Sequence, residues 1–393
     1  DTMFEDKCDS QYFATVGKGL ENVAWQDICE KLEDVNVLVW DGIPSIQGLS
    51  NAIQGKLFFQ SSKPIEYEKL RLVERVFVLL KVSSLERNIK ASQNVIDIVK
   101  EIMADELFWE KKYKLWYSLM GCQFKNEIKR QKLQIHHNVG TFRISLKIKR
   151  NLDHIKNFVI RSLSYQIKKS LNLKADMKDP HLELYVNVGD GLFLMGMNLT
   201  RTPLSVRDYF LDLPMRSTVC HAMCRLGKVN DGSTILDPMC GAATILIEAC
   251  RNWNNVLAVG VDCDGKQLGA ADKNLKYSKC SMVELIKGKI EEVNFQFDAF
   301  DVCLCDIPFG RKFGSRSNTL SLLPIIVQRV LRAIKLGGYF VILIDVTLYS
   351  CLKDAVKDTN YNHCSFIMKD ALTVGLGNLN AMLCVLQKNN SSN

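Results

Sequence analysis

The stretch ILDPMCGAATILIEA, residues 235–249, decides the architecture. Apolar residues run into Asp237, a turn of small residues follows, and a helical pattern opens near Thr244. Strand, small-residue turn and helix in that order begin a parallel α/β sheet, which binds ligands at the carboxyl ends of its strands. The small residues of the turn let backbone approach a ligand closely. No Gly-Lys-Ser/Thr follows, so a nucleotide P-loop is excluded. Downstream, VLAVGVD (256–262), VELIKG (283–288), DAFDVCLCD (298–306) and GGYFVILID (337–345) read as near-continuous apolar strands. Helices are expected over 244–251, 267–277 and around 320–333, with another before the last two strands, CSFIMK and AMLCVLQ. Such runs predict a mostly parallel sheet covered on both faces, with an antiparallel pair at its end.

Upstream, residues 215–226 read as a helix and TRTPLSVRDYFLDLP (200–214), with two prolines, as a linker. Before it, TFRISLKIKR (141–150) alternates strictly, with Phe142, Ile144, Leu146 and Ile148 on one face and cations on the other. An amphipathic helix over 154–171 and a hairpin turning at Gly-Asp-Gly (189–191) complete a small α/β unit. The opening segments QYFATV, 20–32, VNVLVW, GKLFFQ, 66–72 and RVFVLL alternate strands and helices as an α+β sandwich does. Residues 91–132 read as helical, aromatic and basic. Trp109, Tyr113 and Trp116 recur at helical spacing, which favours core packing over base stacking. The expected domains are 1–85, 86–200 and 214–390, with 201–213 as linker.

Charge refines this division. The chain of 393 residues carries 51 Lys+Arg against 43 Asp+Glu, a net +8. Residues 141–180 hold +7 and residues 110–132 hold +5, leaving −4 for the rest. A basic module beside a near-neutral remainder points to a polyanion held by one part and a different task for the other. The candidate phosphate contacts are Arg143, Lys147, Lys149, Arg150, Lys168 and Lys169, with Arg311, Lys312 and Arg316 beside the reactive motif below. No run of 18 apolar residues exists, so no membrane span is expected. The fourteen cysteines include no Cys-x-x-Cys pair and lie mostly among apolar residues. Reduced, buried thiols and no metal site are expected, in a nuclear or cytoplasmic protein.

Two carboxylates mark the cofactor turn. Asp262 ends the second strand, where an acid accepts both hydroxyls of an adenosine ribose. Asp237, in the first turn, repels a diphosphate but suits the cationic methionine end of S-adenosylmethionine. The candidate cofactor residues are Asp237, Pro238, Cys240, Gly241, Ala242, Ala243, Thr244, Asp262, Cys263, Ile290 and Glu291. The candidate catalytic residues are Asp306, Ile307, Pro308 and Phe309. This Asp-x-Pro-Phe resembles the Asp/Asn-Pro-Pro-Tyr/Phe motif of amino methyltransferases. A nucleobase amine is flat and must pyramidalise to attack a methyl sulfonium. The Asp306 carboxylate and the Ile307 carbonyl can accept its two N–H bonds, aiming the lone pair, while Phe309 stacks on the base.

DPMCGAATILIEA, GVDCD and DIPFGRKFGS, in that order after a small basic domain, resemble the THUMP-domain-containing RNA guanine-N2-methyltransferases. YFATVGKGLE and GKLFFQ resemble that family's N-terminal ferredoxin-like domain, and TFRISLKIKR its THUMP fold. The resemblance implies ferredoxin-like and THUMP α+β domains followed by a seven-stranded class I, Rossmann-like methyltransferase domain. It implies S-adenosyl-L-methionine as cofactor and N2-methylguanosine in a structured RNA as product. The expected RNA is the spliceosomal U6 small nuclear RNA, with transfer RNA as the alternative, and a small zinc-binding activator subunit is the expected partner. VELIKG, as an apolar sheet edge, is its expected docking strand. Three departures from the family pattern stand out: Ala243 for a glycine, Lys289 for an acid near the adenine, and Ile307 for the first proline. A catalytically idle RNA-binding protein, and a methyltransferase of DNA or of protein amide nitrogen, are the competing readings.

Overall fold

The computed structural model describes residues 10–38, 52–86, 90–131, 140–189, 191–211, 215–307, 316–377 and 379–390, with backbone alone at 106, 121–131 and 316–319. Contacts divide the chain into two compact units. One comprises residues 1–15, 29–67 and 75–203, the other residues 16–28, 68–74 and 204–393.

Strands of the first unit are β1 (Ser10–Val16), β2 (Val35–Val37), β3 (Ala52–Ile53), β4 (Lys56–Ser61), β5 (Val73–Ser84), β6 (Thr141–Ile148), β7 (Lys174–Ala175), β8 (Leu182–Gly189) and β9 (Leu192–Asn198). They form one sheet in the order β2-β4-β1-β5-β9-β8-β6-β7, with β3 on β4. The antiparallel β5–β9 pair, Phe77 opposite Asn198 through Ser84 opposite Leu192, joins the strands read as two modules into one sheet. Phe13 stacks on Phe77 at 4.7 Å, and Phe77 lies 5.0 Å from Tyr185. Gly196 makes room for this stack, since a Cβ there would lie 2.3 Å from the Phe13 ring.

Residues 91–131 are helical, as read, in two pieces: α2 (Ala91–Ala104) and α3 (Glu106–Gln131). Asp105 makes the break, because its carboxylate accepts the Phe108 N–H at 2.9 Å and competes with helix continuation. Trp109 and Trp116 are buried, their indole N–H groups bonded to the Ile102 and Asn198 carbonyls. The core reading therefore holds for both. The amphipathic helix is α4 (Lys156–Leu171), which buries Val159, Leu163 and Ile167. Where a helix was expected at 66–72, only a single 3-10 turn forms, Tyr67–Lys69.

The second unit holds a seven-stranded sheet of β10 (Thr234–Asp237), β11 (Leu257–Asp262), β12 (Val283–Lys287), β13 (Phe300–Asp306), β14 (Ile334–Asp345), β15 (Cys364–Leu376) and β16 (Leu379–Asn390). Their order is β12-β11-β10-β13-β14-β16-β15. The first five run parallel, and β16 is antiparallel to both neighbours. This is the class I methyltransferase sheet. Helices α5 (Ser217–Leu226), α6 (Thr244–Asn252), α7 (Gly265–Ser278), α8 (Arg316–Ala333) and α9 (Tyr349–Asp358) accompany it. Cys303, Cys305 and Cys384 are core residues beside Leu236, Phe340 and Ile342, so these thiols act as small apolar groups.

One N-terminal helix belongs with this sheet. In α1 (Glu21–Lys31), Asp27 accepts the Arg71 and Leu72 N–H groups and lies 3.7 Å from Arg225 of α5. Just before α1, Lys18 accepts the Gly375 N–H of β15 at 2.9 Å. Gly19 has φ +87°, and a Cβ on it would fall 1.9 Å from the Thr373 carbonyl oxygen, so only glycine fits. Among the described residues, no helix is long and apolar enough to cross a membrane, and no cluster of acids, histidines and cysteines could hold a metal ion.

Candidate functional site

Strands β10, β11 and β13 deliver three acids, Asp237, Asp262 and Asp306, to the carboxyl edge of the sheet. The turn after β10 has two left-handed residues, Gly241 at φ +52° and Ala243 at φ +62°. The first carries no steric cost, whereas the second stores about 1–2 kcal/mol of strain. The turn is held from several sides. Cys240 donates to the Val261 carbonyl, Ala243 to that of Cys240, and buried Asn274 of α7 donates its amide to the Ala242 carbonyl at 3.1 Å. Gly260 in β11 lets the turn approach, since a Cβ there would meet the Cys240 sulfur at 2.9 Å.

Asp262 is tied to this turn. One carboxylate oxygen accepts the Gly241 N–H at 3.0 Å and the other the Asp264 N–H at 2.8 Å. Each oxygen keeps a further lone pair, and the side chain is half-buried, so two ribose hydroxyls can still bond there. Asp237 is fully buried and accepts the Met239 N–H at 3.1 Å. Burial, with the charges of Asp306 and Asp262, holds its carboxyl well above the usual carboxylate range. Burial likewise pushes Asp306 up to about 7, and its Oδ1 has no hydrogen-bond partner among the described residues. Mutually repelling acids, one buried and two half-buried, with an oxygen unsatisfied among the described residues, invite a cationic, hydrogen-bond-donating ligand set. S-adenosylmethionine fits: its sulfonium and ammonium match the acids, and its ribose matches Asp262. Burial raises the Cys220 thiol of α5, followed by the charge of Glu248, with smaller contributions from Cys224, Asp306 and Asp237.

The structure thus gathers Asp237, Pro238, Cys240, Gly241, Ala242, Ala243, Thr244 and Asp262 around one turn, with Cys263 exposed beside it. Ile290 packs into the sheet core, and the Glu291 carbonyl accepts from Arg329 of α8. Lys289 is exposed, 3.7 Å from Glu292. Ile307 is fully buried, and its N–H is bonded to Leu343. Pro308, Phe309, Arg311 and Lys312 lie outside the described residues, and Arg316 opens α8 with backbone alone. Sequence reasoning missed Gly260 and Asn274. The glycine inside an apolar strand was a visible signal, whereas Asn274 reaches the turn only through tertiary packing.

In the first unit the basic candidates separate. Arg143 bonds Glu183 at 2.8 Å, and Arg75 bonds the same carboxylate through both terminal nitrogens. Burial opposes ionisation of Glu183, but bonds from Arg75, Ser145 and Arg143 outweigh it and bring its carboxyl down to about 2. Lys147 lies over the Tyr185 ring at 5.7 Å and remains exposed, as do Lys149, Arg150, Lys168 and Lys169. Exposed Arg161 and Tyr165 on α4 extend that surface and were not singled out from sequence.

Residues 205–368 match the RMKL-like methyltransferase domain family, UPF0020. A U6 snRNA (guanine-N(2))-methyltransferase, THUMPD2 of Bos taurus, is 24% identical over 88% of this chain and 80% of its own length. The tRNA (guanine(6)-N(2))-methyltransferase THUMP3 of the same species is 25% identical over 46% of this chain and 38% of its own. The crystal structure of TrmN from Thermus thermophilus superposes with a TM-score of 0.70 at 19% identity, over 96% of this chain and 99% of that one.

Proposed function

We propose, from the premise that the chain is a class I S-adenosylmethionine-dependent methyltransferase, that it methylates N2 of a guanosine in a structured RNA. The observation that carries this reading is Asp306, a half-buried carboxylate at the end of β13, beside the Asp237–Asp262 turn, whose Oδ1 has no hydrogen-bond partner among the described residues. The similarity to THUMPD2 and THUMP3 supports guanine-N2 as the acceptor.

When bound, S-adenosylmethionine supplies an electrophilic methyl carbon on a sulfonium. Asp262 and the Gly241–Thr244 turn hold its adenosine, and Asp237 faces its cationic end. Asp306 Oδ1 accepts one N–H of the guanine amine, and the Ile307 carbonyl the other, so the lone pair leaves conjugation and faces the methyl carbon. As the N–C bond forms and the methyl carbon's bond to sulfur breaks, with neutral S-adenosylhomocysteine as the leaving group, the amine becomes cationic, and Asp306 takes its surplus proton. A carboxyl near 7 matches that task at neutral pH. Phe309 is the expected stacking surface for the base.

The finer proposals follow the same order. U6 small nuclear RNA is the favoured substrate, on the longer similarity to THUMPD2, and the nucleus the favoured compartment, with transfer RNA and cytoplasm as the alternatives. The expected ferredoxin-like (1–85) and THUMP (86–200) domains serve to hold RNA, except for residues 16–28 and 68–74, which group with the catalytic domain (214–390), as does the part of the expected linker (201–213) from residue 204 onward. An activator subunit adds a strand to β12, which ends the sheet and exposes Ile286, with Met282 exposed just before the strand.

The test incubates the full chain and activator with methyl-labelled cofactor and total small RNA, then identifies the labelled nucleoside. Label in N2-methylguanosine is expected. Asp306→Ala should abolish transfer while RNA binding stays within about twofold of wild type. Label in another nucleoside, or transfer retained by Asp306→Ala, would overturn the reading.

A further inference from the structure

The linker segment after residue 203 is not slack. Tyr209 donates its hydroxyl to Glu248 Oε2 at 2.7 Å, and Arg207 reaches Glu248 Oε1 at 3.3 Å while also bonding the Arg71 carbonyl. Glu248 lies in the second turn of α6, fully buried. Asn252 donates to it at 3.1 Å, and His221, stacked on Trp253, approaches to 3.2 Å. Burial opposes its ionisation, but His221, Arg207 and Tyr209 outweigh that and keep its carboxyl below the ordinary range. The carboxylate is therefore a fixed anchor for the tyrosine hydroxyl.

The ring of Tyr209 sits elsewhere on the same helix. It shares one buried cluster with Ala243, Ile247, Ala271 and Leu275. Ala243 is the left-handed residue that opens α6, where a Cβ is strained. Strained backbone persists only when its surroundings over-determine it. From this turn Gly241 donates its N–H to Asp262, the ribose acid.

We infer that Tyr209, locked by Glu248, is a positioning residue for the cofactor: it holds the Ala243 turn in its strained form and so sets Gly241 and Asp262 for the ribose. This rests on the S-adenosylmethionine reading, and the turn needs such support because alanine, not glycine, stands at 243.

The test measures calorimetric binding of S-adenosylhomocysteine to the full chain in a double-mutant cycle of Tyr209→Phe and Ala243→Gly. Tyr209→Phe is expected to weaken binding by about tenfold when residue 243 is alanine, and by about twofold or less when it is glycine. Hydrogen exchange of the unliganded protein should show the Gly241 amide exposed faster in Tyr209→Phe and restored to wild-type protection in the double variant. An equal loss in both backgrounds, or an unchanged Gly241 amide, would overturn the positioning role. Failure of the wild-type chain to bind S-adenosylhomocysteine would remove the cofactor reading itself.

Discussion

Burial holds the Asp306 carboxyl near 7, and catalysis and stability respond to that in opposite directions. The folded state binds this proton more tightly than the unfolded chain does. Its contribution to stability is thus lost as pH rises from the unfolded value of about 4 to about 7. Transfer needs the ionised form and rises over the upper part of the same range. Asp306→Asn should therefore raise Tm relative to wild type at pH 8 and much less at pH 5, with a stability gain of up to roughly 4 kcal/mol at the higher pH. The wild-type single-turnover rate should climb with pH through about 7. Thermal melts at the two pH values and a pH–rate profile check both, and equal melting shifts would place the buried charge elsewhere. Gly19 gives a second outcome at this scale. With a positive φ and the Thr373 carbonyl against its hydrogen, Gly19→Ala should destabilise the second unit by about 2 kcal/mol or more, read by denaturant unfolding. Asp237, Asp262 and Asp306 were legible in the sequence because each ends an apolar strand, and the order of strands forces them to one edge. Asn274 was not, because its bond to the Ala242 carbonyl spans 32 residues and two elements.

Among elements, β12 and α4 carry the surfaces that other molecules would meet. β12 exposes Ile286 at 37%, and Met282, just before the strand, is exposed at 44%, while among the described residues the outer backbone edge of β12 pairs with no other strand of the sheet. Ile286→Lys should lower recovery of the proposed activator in co-purification at least about fivefold and leave the solitary chain more soluble. Retained co-purification would move the docking surface away from β12. On α4, β6 and the two residues after β6 the cations divide by exposure. Arg143 is committed to Glu183, whereas Lys147, Lys149, Lys168 and Lys169 are exposed. Reversing those four charges should weaken RNA binding and reduce the salt slope by about three, whereas Arg143→Ala should chiefly destabilise the sheet by leaving Glu183 short of a partner. Titrations at several salt concentrations separate these outcomes. Alternation in TFRISLKIKR showed which residues share a face, but not that Glu183 of the neighbouring strand would claim one of them.

For the whole molecule, sequence order and spatial grouping part company. Residues 16–28 and 68–74 group with the methyltransferase sheet, through Asp27, Arg71, Leu72, Lys18 and Gly375. A fragment beginning at residue 204 should therefore melt lower than the second unit of the full chain and show exposed apolar surface by dye binding. A fragment as stable as the full chain would make the N-terminal helix dispensable. The parallel α/β class, the strand endings that present three acids, the Gly/Ala turn and the basic module were all legible along the chain, because period and local turn chemistry are written in adjacent residues. Packing alone revealed that β5 and β9 fuse two strand sets into one sheet, that α1 groups with the methyltransferase sheet, and that Tyr209 joins Glu248 and the Ala243 cluster. Those outcomes rest on contacts between residues far apart in the chain, whose pairing is set by packing and the satisfaction of buried polar groups.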